Sequence, residues 1–480
     1  MATTLDLAAV RALVAEHDPE GRLTPCPIEE LVMGPGALGL VASIVERLVG
    51  ARSDGRPSVV LLVDDVTILR AGADVKAQVE SDLAATFAVR RVVLTDGHPE
   101  LHVTASVIEQ AVESCADAQV VVALGSGTIS DIAKLAVARR PGQRLLTVMT
   151  AASVDGYTDN VSVLLKDGVK RTVPSVWPDA VLADAETVAA APPRMNRAGY
   201  GEMTSMYVAP ADWRLAALVG IDPSFHRAPL AILEVLGDSL DECAPGVAAG
   251  EPGAVHELTA ALALRGIATG LSGSTACLSG VEHMVSHMLD LRAAAQRLPT
   301  GLHGEQVGAG SVVAACAWEM LHDRVAAEPG ARVWPAALDR NTGEARVRMA
   351  FERIDASGRI GGECWSDYSR KLDRVKAALP ALNATLERWE EHAPELRSLA
   401  RPSARIAAGL RSAGTPALLS ELGGEIDERT TSWVVRNCAL MRDRFTVVDL
   451  LTLLGWWRYD DVAEIERRVL AAVTGAEVGA

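Results

Sequence analysis

Ala118–Arg140 reads AQVVVALGSGTISDIAKLAVARR: an unbroken apolar run, a glycine-rich turn, then a segment with helical spacing. An apolar run of strand length, closed by glycines and followed by a helix, is the pattern of a strand buried on both faces of a parallel sheet. The same grammar extends outward in both directions. Upstream, LVMGPGALGLVASIVERLVG gives strand, turn and helix, and SVVLLVDD (Ser58–Asp65) and RRVVLTD are two more strands with helical text between them. SVIEQAVESCA is an amphipathic helix. Downstream, LLTVMT is a further strand, SVLLKDGVKRTVP a hairpin with Asp-Gly at its turn, and DAVLAD a last strand. Alternation of strand and helix predicts an α/β domain over residues 1–185, with a mostly parallel, doubly wound sheet and a helical arm over about 1–30. From Glu186 helical periodicity punctuated by Pro and Gly dominates, which predicts an all-α second domain over 186–480.

A chain of 480 residues with 49% hydrophobic residues can build a large core. Its formal net charge of −16 argues against nucleic acid as a partner, since no basic patch could dominate such a field. Seven scattered cysteines do not form a disulfide framework, so a cytoplasmic location is expected. Charges run through Met1–Glu20, so no signal peptide is evident, and runs such as FTVVDLLTLLGWW are too short to span a membrane.

Chemistry concentrates in SGVEHMVSHMLD and LHGEQVGAG. His283 and His287, four apart, share one face of a helix. His303 opens a second segment rich in small residues, suited to close helix packing. A lone HxxxH is commoner as an ordinary histidine pair than as a metal site, and a site also needs a carboxylate. Glu202, in AGYGEMTSMY, reads as the start of the first long helix of the second domain. It is either a complement to the helix dipole or the missing anionic ligand of a Glu/His/His site.

The turn Gly125-Ser126-Gly127-Thr128 is either a pyrophosphate cradle at a helix N-terminus or a plain tight turn. Asp64 and Asp65 close a strand, where an acid can accept from a ribose or simply face solvent. TAASVDGY follows the strand LLTVMT at the carboxyl edge of the sheet, and Asp155 within it reads as a turn residue or a substrate contact.

ALGSGTISD, TAASVDGYTDN, DGVKRTVP, VLAD, GYGE, SGVEHMVSHMLD and HGEQVG occur in the order found in glycerol-1-phosphate dehydrogenases, which the chain resembles from about Leu61 to Gly310. RNCALMRDRFTVVDLLTLLG is similar to the C-terminal helices of that family. The family belongs with iron-containing alcohol dehydrogenases, glycerol dehydrogenases and dehydroquinate synthases. The resemblance implies a dehydroquinate synthase-like fold: a nicotinamide-binding N-terminal domain, a helical C-terminal domain and a divalent metal in the cleft. It implies Glu202, His283 and His303 as metal ligands and His287 facing the substrate. Gly125, Ser126, Gly127, Thr128 and Asp131 would lie at the pyrophosphate, Thr150 and Ser153 beside the nicotinamide, and Asp155 at the substrate hydroxyl. Two departures stand out. The family usually has Asp where this chain has Glu202, a glutamate typical of dehydroquinate synthases. Those cyclases, however, carry a lysine where this chain has Ser205 and an asparagine where it has Gly280, and they have a lysine in a segment here replaced by DGYTDNVS.

The expected reaction is reduction of dihydroxyacetone phosphate to sn-glycerol 1-phosphate by NAD or NADP in its reduced form, with zinc ahead of nickel or iron. Asp64, by repelling a 2′-phosphate, favours NAD, and Lys170 and Arg171 are the nearest candidates for a phosphate contact. The alternatives are a related polyol or hydroxyketone dehydrogenase, and a cyclising lyase using NAD transiently. A small phosphorylated substrate and a homo-oligomer are the expected partners.

Overall fold

In the computed structural model the described residues are 3–4, 6–50, 55–98, 100–166, 169–299 and 301–476. They form two compact units, Met1–Tyr200 with Arg227–Gly273, and Gly201–His226 with Ser274–Ala480. A single boundary near 185 was expected; instead the chain leaves the first unit at Tyr200, returns at Arg227 and leaves again after Gly273. Helical periodicity reports which face of a helix is apolar but not which unit it covers, so residues 227–273 read like the helices after them.

The first unit is built on a seven-stranded sheet. Its order is Thr3–Thr4, Glu30–Gly34, Ala180–Asp184, Arg144–Met149, Val120–Gly125, Ser58–Val63 and Ala88–Val93. Six strands are parallel, and Thr3–Thr4 pairs antiparallel with Glu30–Gly34. That edge pair went unread in the sequence because two residues carry no periodicity. The arm behind it is the helix Leu7–His17, whose first N–H groups (Ala8, Ala9) donate to Asp6.

Apolar runs recur because the sheet is covered on both faces. Val59, Leu61 and Val63 point into a core shared with the helices Val41–Val49 and Val75–Ala84. Val60 and Leu62 point into a second core with Ala105–Ser114 and Gly127–Ala138. From Ser58–Val63 the chain steps outward to Ala88–Val93, then crosses back to Val120–Gly125 on the other side. The switch point of the topology therefore lies between Ser58–Val63 and Val120–Gly125, and open α/β sheets bind ligands outside the carboxyl ends of such a strand pair. Those ends carry Asp64 and Gly125. Val161–Lys166 and Val169–Pro174 form the expected hairpin, a separate two-stranded sheet, and its turn residues Asp167 and Gly168 lie outside the described residues.

The second unit is helical. Val281–Gln296 packs extensively against His303–Ala327, which is buried without a break from Gly304 to Trp318. Small residues at Gly308, Ala309, Gly310, Ala314 and Ala315 permit that burial. Its interior also holds charge: Lys371 is buried against Asp449, with 2.7 Å between Nζ and Oδ1. All seven cysteines are buried thiols. Among the described residues no helix is long and apolar enough to cross a membrane.

Candidate functional site

Glu202 lies in the last turn of the helix Pro193–Met203, not at a helix start. The reading of the sequence set the start too late, because the helix begins directly at the prolines, where Pro193 serves as a first helical residue. The correction matters electrostatically. A carboxylate in the last turn meets the negative end of the helix dipole, so Glu202 is not a dipole complement. It is also buried, at 2% exposure, and so bears a desolvation cost as well.

Bare backbone brings this glutamate to its neighbours. A Cβ on Gly201 would run into the carbonyl of Gly304, so the two segments meet only because position 201 has no side chain. Glu202 Oε1 then lies 3.4 Å from His283 Nε2, and Oε2 lies 3.6 Å from His303 Nε2. The ligand atoms of these three residues all fall within 4.8 Å of one another.

The outer nitrogens of both imidazoles are occupied. His283 Nδ1 is 2.8 Å from Glu282 Oε1, a carboxylate that only accepts, so in the neutral imidazole the proton sits on Nδ1 and Nε2 presents the lone pair. His303 Nδ1 is 2.9 Å from Ser286 Oγ. That hydroxyl donates its own hydrogen to Gln306 Oε1 at 2.7 Å, so it accepts from His303 and again leaves Nε2 as a lone-pair donor. Without a metal, burial lowers the His283 pKa, but hydrogen bonds and charge from Glu202 and Glu282 outweigh it and hold the imidazole up at about 9. The pocket favours a positive charge. A buried carboxylate with two aimed imidazole nitrogens fits a divalent ion held by three protein ligands. His287 is half-buried beside them, its ring centre 6.3 Å from that of His283 and 6.1 Å from that of His303.

The first unit assembles the other residues. Ser126 occupies the N-cap of Gly127–Ala138 without a side-chain cap bond, so the first turn of that helix is available to an anion. A Cβ on Gly127 would lie 2.7 Å from Val154 Cγ2, so this glycine also lets the loop after Met149 close over the turn. Thr150 and Ser153 are buried in that loop, where the Thr150 N–H donates to Gly125 O. Asn196 anchors the loop by accepting from the Ala152 N–H at 2.9 Å. Asp155 makes an ion pair with buried Arg265. Asp131 accepts from the Val163 N–H at 3.1 Å and lies 3.3 Å from Lys134 Nζ, tying the helix to the hairpin. Asp64 is not an isolated acid: Oδ1 lies 2.5 Å from the Nζ of Lys76, which is buried. That pairing offsets the repulsion expected toward a 2′-phosphate. Arg171 is half-buried on the hairpin, and the side chain of Lys170 lies outside the described residues.

Glu202, His283, His287 and His303 thus gather in the helical unit, and the glycine turn, Thr150, Ser153, Asp155 and Asp64 belong to the sheet unit. The sequence reading passed over Glu282, Ser286 and Gln306. Their signal was present, since Ser286 and Gln306 each follow a candidate ligand histidine by three, on the same helical face. Lys76 and Arg265 gave none, because each is a lone cation far along the chain from its partner.

Over residues 32–192 the chain matches the family model described as iron-containing alcohol dehydrogenase. It is 29% identical to a glycerol-1-phosphate dehydrogenase [NAD(P)+] of Geobacillus stearothermophilus over 70% of this chain and 81% of that one. The corresponding protein of Bacillus velezensis is 26% identical over 78% of this chain and 93% of its own. Glycerol dehydrogenase from Schizosaccharomyces pombe shares the fold with a TM-score of 0.56 at 15% identity, covering 93% of this chain and 90% of that one. A probable glycerol dehydrogenase from Sinorhizobium meliloti does so with a TM-score of 0.54 at 18% identity, over 93% and 97%. Over the matched residues the chain is similar to iron-containing alcohol dehydrogenases, and its fold, one unit built on a mostly parallel sheet and one helical, is shared with glycerol dehydrogenases. Among the relatives compared, the chain is similar to glycerol-1-phosphate dehydrogenases.

Proposed function

We propose that the protein reduces dihydroxyacetone phosphate to sn-glycerol 1-phosphate at the expense of NAD(P)H, with zinc as the metal. The observation that carries the reading is the convergence of Glu202, His283 and His303 with both outer imidazole nitrogens already held. The names of the relatives supply the substrate.

In this reading Glu202, His283 and His303 hold the ion, which when bound supplies Lewis acidity toward a ketone oxygen. The first-turn N–H groups after Ser126 hold the pyrophosphate, and Thr150 and Ser153 border the nicotinamide. A bound reduced nicotinamide would supply hydride to the ketone carbon, and His287 is placed as the group that would deliver the proton to its oxygen. Asp155, fixed by Arg265, orients the substrate's remaining hydroxyl. With Lys76 beside Asp64, both NADH and NADPH are accommodated, NADH preferentially. Cytoplasmic location and a homo-oligomeric state complete the proposal.

The test is NADH oxidation by metal-reconstituted protein with dihydroxyacetone phosphate, free dihydroxyacetone and a cyclisable phosphosugar acid in parallel. Stoichiometric NADH loss with the phosphorylated ketone alone is the expected result. Loss with only the unphosphorylated ketone would transfer the activity to another polyol dehydrogenase. Turnover of the sugar acid without NADH loss would mark a lyase.

A further inference from the structure

Glu282 is among the most enclosed carboxylates of the chain, at 0% exposure, and it sits directly before a candidate ligand. Its Oε1 accepts from the Gly280 N–H at 2.6 Å and from His283 Nδ1 at 2.8 Å, while Oε2 is buried with no hydrogen-bond partner among the described residues. A carboxylate in that position needs a reason, because burying an ion is expensive unless charge is returned to it nearby. The surroundings are built to keep it. A Cβ at Gly280 would overlap Asp212 Oδ2 and come within 3.0 Å of Glu282 Oε2, so only glycine leaves room for the two acids. Asp212 in turn accepts from the Val281 N–H at 3.1 Å and the Val447 N–H at 2.9 Å, fixing the start of the helix that carries Glu282 and His283. Arg444 places its positive charge near Glu282 while donating to Ser279 Oγ at 2.6 Å and Thr275 Oγ1 at 2.7 Å.

We propose that Glu282 is the positioning residue of the metal centre: it holds the proton of His283 on Nδ1, aims Nε2 at the ion and supplies the second negative charge that balances a divalent cation. The proposal rests on the reading of Glu202, His283 and His303 as ligands. His303 is held by the neutral pair Ser286 and Gln306, so the two imidazoles differ in kind. A carboxylate behind an imidazole makes it the stronger donor, and losing such an outer partner weakens metal binding by about 10- to 100-fold. Glu282 touches neither substrate nor nucleotide in this scheme, and it acts only through His283.

The experiment titrates Zn²⁺ and, separately, Co²⁺ into metal-free full-length protein and reads affinity against a chelating dye and the visible spectrum of the cobalt form. Thermal melts of the metal-free variants report the fold. Glu282→Gln keeps an acceptor but removes the charge, and should lose about 10- to 100-fold in zinc affinity with a shifted cobalt spectrum. Glu282→Leu removes the acceptor too and should lose more, and Glu282→Asp should recover part of the loss. Native affinity and a native cobalt spectrum in both Gln and Leu variants would overturn the proposal. His283→Ala separates the two readings: if it binds zinc as tightly as the native chain, the metal centre itself is misassigned. If His283→Ala loses zinc and the Glu282 variants do not, only the role of Glu282 fails. Should the variants not fold, nitrogen-15 spectra of histidine-labelled native protein decide. A zinc-bound His283 with its proton on Nδ1 supports the proposal, and ligation through Nδ1 overturns it.

Discussion

Glu202 bears on the metal reading more than any other single side chain, since its placement is unfavourable on every count except cation binding. Glu202→Gln preserves shape and removes charge. The expected outcome is a loss of zinc affinity larger than the 10- to 100-fold typical of an outer partner, at an unchanged thermal midpoint of the metal-free protein. Dye competition and calorimetry check both. Glu202→Asp restores the residue usual in the family but shortens the reach by one methylene; it should bind zinc more weakly than the native chain and retain part of the turnover. His287→Ala should keep the metal and lower the rate by about 10²- to 10⁴-fold, the usual worth of a positioned proton donor. At this scale the sequence was legible where a motif named a residue type and spacing, as for the three histidines. It was mute where the partner comes from a distant segment, as Lys76 does for Asp64 and Arg265 for Asp155. The end of the helix on which Glu202 sits was misread because the proline pair was taken as a break and not as a start.

The helix Gly127–Ala138 shows how one element serves two ends. Its N-terminus faces the glycine turn, and its middle is bolted to the hairpin by Lys134, which is fully buried. Lys134 Nζ lies 2.6 Å from Asp159 Oδ1, donates to Gly156 O at 2.6 Å and stands 3.3 Å from Asp131. Burial pushes the Asp159 carboxyl up to about 7, and Lys134 holds it from rising further. Lys134→Met strands the buried Asp159 and the half-buried Asp131 and should destabilise the protein by about 3–5 kcal/mol, read from urea unfolding. The loop from Thr150 to Asp159 should lose amide protection first. Gly127→Val is the gentler probe: displacement of Val154 should weaken NADH binding without changing metal content, and an unchanged NADH affinity would make the turn an ordinary one. Elements of this kind were the most legible part of the chain, since strand and helix periods differ and apolar runs report two-sided burial. The two-residue edge strand and the allegiance of residues 227–273 were not, because neither leaves a periodic trace.

Across the whole molecule, buried ionisable groups shape the response to pH. His322 lies between Trp318 and Trp389, with ring centres 5.8 and 5.5 Å away, and neither of its nitrogens has a hydrogen-bond partner among the described residues. Burial, helped by the charge of Arg397, pushes its pKa down to about 4. A histidine whose folded pKa lies below the unfolded value of about 6.5 contributes stability that is complete above that value and is lost as pH falls toward about 4. Asp212 acts in the opposite sense. Burial, opposed by the Val447 N–H and reinforced by the charge of Glu282, pushes it up to about 8, so its contribution declines as pH rises from about 4 to 8. Between about pH 4 and 6.5 the two effects oppose each other, and above 6.5 only the loss from Asp212 remains, so the thermal midpoint of metal-free protein should fall as pH rises from about 6.5 to 8. His322→Phe, which replaces an unsatisfied ring with an apolar one, should remove the loss at low pH, so the midpoint of the variant gains on the native protein as pH falls below about 6.5 while the slope above it is unchanged. Scanning fluorimetry across pH checks this.

The chain's double passage between its units also sets an order of events during synthesis. When Tyr200 leaves the ribosome the sheet is made, but the segment that completes its unit, including the helix Pro252–Ser272, is still untranslated. Residues 201–226, with the apolar Trp213 and Leu215, emerge before the helices they are destined to pack with. At roughly 5–20 residues per second, that interval lasts several seconds, long enough for chaperones to engage the exposed surface. Cutting the gene after codon 200 makes the interval permanent, so such a product should be recovered aggregated. One ending at codon 273 should be recovered soluble, having closed its first half while carrying a single unpaired tongue.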